Sequence, residues 1–151
     1  MPNTKPVGVA FSDPELVSGT TITGATISSS TITGGTLSSP TLTGASLSVD
    51  VAKPAAAGST RADATAMTAS FNWVTAADAT KGVVLPAPTA GRLLVVKNDD
   101  TANAVLKVYA PGSAKINGVA GTTAFSMAAK TACWFVAYDT TDWFSVPLVA
   151  S

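Results

Sequence analysis

Residues 21 to 30 read Thr-Ile-Thr-Gly-Ala-Thr-Ile-Ser-Ser-Ser, and residues 31–40 and 41–50 repeat this decapeptide with small changes. Each of the three repeats carries a glycine at its fourth position, and hydroxylated residues flank its aliphatic residues. A large aliphatic residue recurs every five positions, at Val17, Ile22, Ile27, Ile32, Leu37, Leu42 and Leu47. The region from 16 to 49 contains no charged residue.

A period of five matches neither the 3.6-residue period of a helix nor the 2.0-residue period of a strand, so the chain must turn within each unit. Thr-Ile-Thr favours a short extended segment because its residues are β-branched. Gly-Ala, Ser-Ser and Ser-Pro favour the corners between such segments. The pattern therefore predicts a β-helical shaft over residues 16–50.

One chain is too short to build this shaft alone. With about 20 residues to a coil, the repeat gives roughly one and a half coils, whereas a solenoid needs about three. Identical chains wound around one axis supply the missing neighbours and leave no open sheet edge. We therefore expect a homotrimer, with its trimer interface formed by Val17, Ile22, Ile27, Ile32, Leu37, Leu42 and Leu47.

Two other interpretations of the repeat are a flexible Ser/Thr/Gly linker and a glycosylated, mucin-like stalk. A linker does not require aliphatic residues at a fixed register. The stalk is disfavoured because the repeat has little proline and the N-terminus shows no secretory signal. The sequence also shows no apolar run of membrane-spanning length. The sequence thus favours an ordered shaft in a protein that is made in a cytoplasm.

The pattern changes after the repeat. Residues 51–70 are small and unpatterned, and we interpret them as a connector in which a short helix is an alternative. Eight short strands are predicted beyond it, at 71–75, 82–85, 92–97, 104–109, 115–117, 124–127, 132–138 and 143–146. They predict an all-β sandwich, jelly roll or barrel over residues 71–151. Its aromatic residues are interpreted as core and intersubunit packing, with a sugar-binding face as the alternative.

The composition excludes several kinds of site. The chain has nine Lys plus Arg residues, nine Asp plus Glu residues, one cysteine and no histidine. It cannot form a Cys/His zinc site or a His-activated nucleophile, and its scattered basic residues do not favour nucleic acid or anionic lipid. The acidic pairs Asp99-Asp100 and Asp139/Asp142 could hold a cation or serve as a glycosidase pair, but each falls in a predicted turn, where Asp is expected for backbone reasons. We therefore expect no catalytic residue, cofactor or metal ion, and a buried apolar thiol at Cys133.

Several stretches together resemble a known group of proteins. Val-Val-Leu-Pro-Ala-Pro-Thr-Ala-Gly-Arg at residues 83–92 and Asp-Trp-Phe-Ser-Val-Pro at residues 142–147 resemble the small β-domain of tailed-bacteriophage capsid decoration (cement) proteins and head fibres. Residues 93–98, 106–109, 116–118 and 124–132 extend the resemblance, and the Thr-Ile-Thr-Gly decapeptides are similar to the fibrous segments beside such domains. The resemblance implies a homotrimer on the outside of an icosahedral head, in contact with the major capsid protein and stabilising the shell.

Residues 1–15 contain three prolines, and we interpret them as an extended arm. In a virion protein this arm would contact the capsid. Pro2, Lys5, Pro6 and Phe11 are its expected capsid contacts. The main alternative is a phage tail-fibre or tail-tip protein that binds a host surface glycan, which would have the same shaft and the same trimer. A secreted bacterial adhesin is disfavoured by the missing signal sequence.

The register of the shaft is testable by two substitutions at adjacent positions. Ile32→Asp would place three carboxylates near one axis and abolish trimer assembly, because each buried unpaired charge costs several kcal/mol. Thr33→Asp points outward in this register and should leave the trimer intact. Size-exclusion chromatography with light scattering measures both variants, and equal effects of the two would mean that the inward register is wrong.

Overall fold

The computed structural model describes residues 48–99 and 103–146, which belong to one compact unit, and within these ranges the fold is all-β without a helix. The prediction of an all-β protein is thereby confirmed. The strands are β1 (Val51–Ala52), β2 (Thr65–Ala66), β3 (Phe71–Val74), β4 (Gly82–Val84), β5 (Leu93–Asn98), β6 (Leu106–Tyr109), β7 (Lys115–Ile116), β8 (Val119–Ala120), β9 (Phe125–Met127), β10 (Ala132–Ala137) and β11 (Asp142–Val146).

The first six strands wind as a β-solenoid. They alternate between a seven-stranded and a four-stranded sheet, and neighbours within each sheet run parallel. Val51 lies opposite Phe71, and Phe71 lies opposite Val95, so one turn of chain takes 20 residues and the next takes 24. Parallel pairing lets each coil satisfy the backbone hydrogen bonds of the coil before it.

The last five strands close the two sheets with mostly antiparallel pairs. β9 pairs with β6 in the four-stranded sheet. β10 pairs with β5, and β11 then pairs with β10, so the seven-stranded sheet grows past the last coil. The β7–β8 hairpin extends it further, with β7 parallel to β11. The strand order of the larger sheet is therefore β1-β3-β5-β10-β11-β7-β8.

The core lies between the two sheets. Side chains alternate along the strands, so that Leu94, Val96, Phe135 and Trp143 of the larger sheet are fully buried. The smaller sheet contributes the equally buried Val83, Leu106 and Val108 to the same cluster. Phe125 and Phe135 meet edge to face with ring centroids 5.5 Å apart, and the Trp143 ring nitrogen donates to the Pro86 carbonyl at 3.3 Å.

The β7–β8 turn is held by one asparagine. Asn117 and Gly118 have φ values of 52° and 79°, as a type I′ hairpin turn requires. The Asn117 amide also donates to the Ser145 hydroxyl and accepts from the Ser145 backbone N–H, both at 2.9 Å. Ser145 is 1% exposed, so these bonds satisfy polar groups that water does not reach.

The eight strands predicted from sequence are all present, as β3 to β7 and β9 to β11, with ends that differ by at most two residues. β1, β2 and β8 were not predicted. Residues 51–70, expected to be a connector, supply β1 and β2 together with the buried Ala56 and Met67, and they contain no helix. The β-helical winding expected at 16–50 falls almost wholly outside the described residues.

Asn117→Ala should destabilise the fold by about 2–3 kcal/mol, because it leaves buried groups of Ser145 without their partners. Lys130→Ala is the matched control: Lys130 has a similar φ of 60°, and its exposed side chain makes no hydrogen bond to the described residues. Urea unfolding measures both variants. Equal midpoints would show that the Asn117 side chain contributes nothing beyond its backbone conformation.

Candidate interface on the outer face of the seven-stranded sheet

The seven-stranded sheet carries apolar side chains on the side that points away from the core. Five strands place one residue each in a continuous row, since Val51 is opposite Phe71, Phe71 opposite Val95, Val95 opposite Trp134 and Trp134 opposite Val146. A second row joins Leu93, Val136 and Phe144. We call these residues the outer face: Val51, Phe71, Leu93, Val95, Trp134, Val136, Phe144 and Val146.

The outer face is uncharged and largely exposed. Val51 is 70% exposed, Leu93 and Val146 are each 50% exposed, and Trp134 is 49% exposed. Val95 is only 4% exposed, because Phe71 and Trp134 flank it across the sheet. With the adjoining Tyr138, these side chains expose on the order of 700 Å². Monomeric proteins rarely leave so large a contiguous apolar patch in water unless it binds something.

A groove runs across the centre of the outer face. Phe71, Leu93, Val95 and Trp134 line it together with Val49 and Ser70, and its volume is about 310 Å³. Its only polar side chain is the small Ser70. The shape and chemistry of the groove suit apolar side chains that enter from outside.

Charged residues lie at the borders of the outer face: Asp142 and Lys115 beyond Phe144, and a cluster around Trp73. The Lys97 ammonium lies 3.7 Å from the centroid of the Trp73 ring and 2.9 Å from the Asp99 carboxylate. The Lys53 ammonium lies 5.7 Å from the same ring. Hydrogen bonds from Lys97 and then Trp73 lower the pKa of the half-buried Asp99. This cation–π and ion-pair cluster is partly exposed to water beside the apolar rows.

Tyr138 marks the border next to Phe144. Its side chain is 76% exposed, and its ring meets the ring of Phe144 edge to face with centroids 6.0 Å apart. An amphipathic ring of this kind tolerates water on one side and an apolar neighbour on the other. The outer face therefore has an apolar centre and polar borders, which is the anatomy of a protein–protein interface.

The acidic residues that could suggest a catalytic or cation site serve local structure. Asp139 accepts hydrogen bonds from the backbone N–H groups of Thr141 at 2.7 Å and Asp142 at 2.8 Å, and the first of these bonds is the main cause of its lowered pKa. Asp99 is engaged by Lys97, whereas Asp100 lies outside the described residues. Within 48–99 and 103–146, no group of three or more metal-ligating side chains comes together.

Cys133 lies on the inner side of β10 and is 5% exposed. Burial raises the pKa of its thiol, so the reactive thiolate is scarce near neutral pH. The prediction of a buried apolar thiol is confirmed.

The interface residues predicted from the repeat, Val17 to Leu47, and the expected capsid contacts Pro2, Lys5, Pro6 and Phe11 all lie outside the described residues. They stay predictions. The outer face was not identified from sequence residue by residue, although its aromatic residues were expected to serve core and intersubunit packing. A signal for it exists in Leu93-Leu94-Val95-Val96, where apolar residues occupy both faces of a strand.

No protein-family model matches the chain, and no curated protein matches it significantly. In the part of the chain that the structure describes, no helix is long and apolar enough to cross a membrane.

Proposed function

We propose that this chain is a structural virion protein: a homotrimeric decoration (cement) or head-fibre protein that binds the outer surface of an icosahedral phage capsid and stabilises it. The observation that carries the proposal is the broad, uncharged outer face on a solenoid-like β fold. Such a face needs an apolar partner, as does the five-residue register that precedes it in the sequence. The proposed role requires no catalytic group and no cofactor.

The proposed architecture is a short intertwined β-helical shaft over residues 16–50, followed by a compact two-sheet β-domain that begins with β1 and so includes residues 51–70. Stacked strands with short connections suit such a particle-bound protein, because each coil is held by hydrogen bonds to its neighbours. Along the proposed shaft, which has no charged residue, the hydroxyl groups of Thr and Ser would form the hydrogen bonds to water.

A trimer suits attachment to a capsid for an energetic reason. Three identical chains present three copies of any weak contact, so that the later contacts form at a high effective concentration. The N-terminal arm, with Pro2, Lys5, Pro6 and Phe11, is the proposed contact with the major capsid protein. A ligand that binds only the assembled shell stabilises that shell by mass action.

A second candidate function is a tail-fibre or tail-tip protein that recognises a host surface glycan. The exposed ring of Tyr138 favours it, since its 76% exposed side chain offers an apolar body and a hydroxyl to a ligand. Both candidates share the trimer, and they differ in the location of the protein on the particle.

Electron microscopy distinguishes these locations. Antibody raised against the full chain should label the head of intact particles, and particles produced without the chain should lose density on the head surface. Heads without the chain should also release their DNA at a lower temperature. Labelling of the tail, with heads of unchanged stability, would contradict the decoration role and favour glycan recognition.

A further inference from the structure

We infer that the outer face of the seven-stranded sheet packs against the outer faces of other copies of this chain around the trimer axis. This inference names an interface of the proposed homotrimer and therefore rests on the trimeric part of the proposed function. It adds a second region of subunit contact, within the described fold, to the aliphatic register predicted for the repeat.

The charge distribution favours a second copy as the occupant. All eight residues of the outer face are uncharged, so identical faces can meet without burying an unpaired charge, which would cost several kcal/mol. The charged residues lie at its borders: Lys53, Lys97 and Asp99 around Trp73, and Asp142 with Lys115 at the opposite end. A strongly charged partner would find no complementary charge at the centre of this surface.

The exposed area of the outer face is close to the area that one subunit buries in a stable interface. Stable protein–protein interfaces bury roughly 800 Å² on each partner. The outer face with Tyr138 exposes on the order of 700 Å², and it includes Trp134, a residue of a type that often dominates binding energy. Trp134 lies next to the centre of the longer row, with Val95 on one side and Val146 on the other.

The outer face also continues the predicted subunit contact in the sequence. Leu47 is the last residue of the five-residue register, and Val49 and Val51 follow it at alternate positions. Val49 is 43% exposed and lines the groove with Phe71 and Trp134, and Val51 begins the longer apolar row. The apolar pattern of the sequence therefore extends from the repeat into the described residues of the outer face.

Photo-crosslinking in the full chain tests the inference. The reactive amino acid p-benzoylphenylalanine replaces Phe71 in one variant and Leu93 in a second, so that the test survives if one variant folds poorly. Val105 is the matched control site, because it is an exposed apolar residue (37%) outside the outer face. After irradiation, chains are separated on a denaturing gel, and the cross-linked peptides are identified by mass spectrometry.

We expect the Phe71 and Leu93 variants to form bands of two and three chains, and their single-chain bands should largely disappear. The cross-links should join peptides that contain residues 132–146 of another chain. The Val105 variant should remain mostly a single chain. Cross-links within one chain to residues 1–47 would show that the chain covers its own outer face. That result, cross-links between chains outside the outer face, or the absence of cross-links between chains would overturn the inference. If antibody still labels the head of the particle in that case, the inferred contact between outer faces is wrong and the proposed decoration role stands.

Discussion

The fold depends on burying apolar side chains on the inner side of one seven-stranded sheet. The inner side is covered by the four-stranded sheet, which leaves Leu94, Phe135 and Trp143 fully buried. On the other side, Phe71, Trp134 and Phe144 remain 38–49% exposed. Because apolar area in water is unfavourable by about 25 cal/mol per Å², a sheet of this composition gains stability when a further layer covers it.

The winding of the chain explains how such short strands are held. β1 and β2 have two residues each and would not persist alone, but each pairs with the next coil of the solenoid. The antiparallel strands β9, β10 and β11 then add to the last coil, and Asn117 fixes the final hairpin to β11 through Ser145. The result is a large, continuous sheet with a regular side-chain register, and that regularity aligns the apolar rows of the outer face.

The positions of most strands were predictable from local sequence, whereas the pairing between the strands was not. Eight strands were found from short apolar runs separated by turn residues, as with Asn117-Gly118. Two-residue strands such as β1 and β2 leave too little pattern to be recognised. Parallel coils bring together residues 20 to 24 positions apart, such as Val51, Phe71 and Val95, and local periodicity carries no information about such partners. The outer face emerges only from this pairing.

The proposed trimer requires that copies of the chain cover one another's apolar surfaces. Native mass spectrometry of the full chain at low micromolar concentration tests it most directly, because it counts the chains in each particle. We expect a dominant species of three chains, with little single chain. A dominant single chain under these conditions would contradict it, since neither the repeat nor the outer face would then have a partner copy.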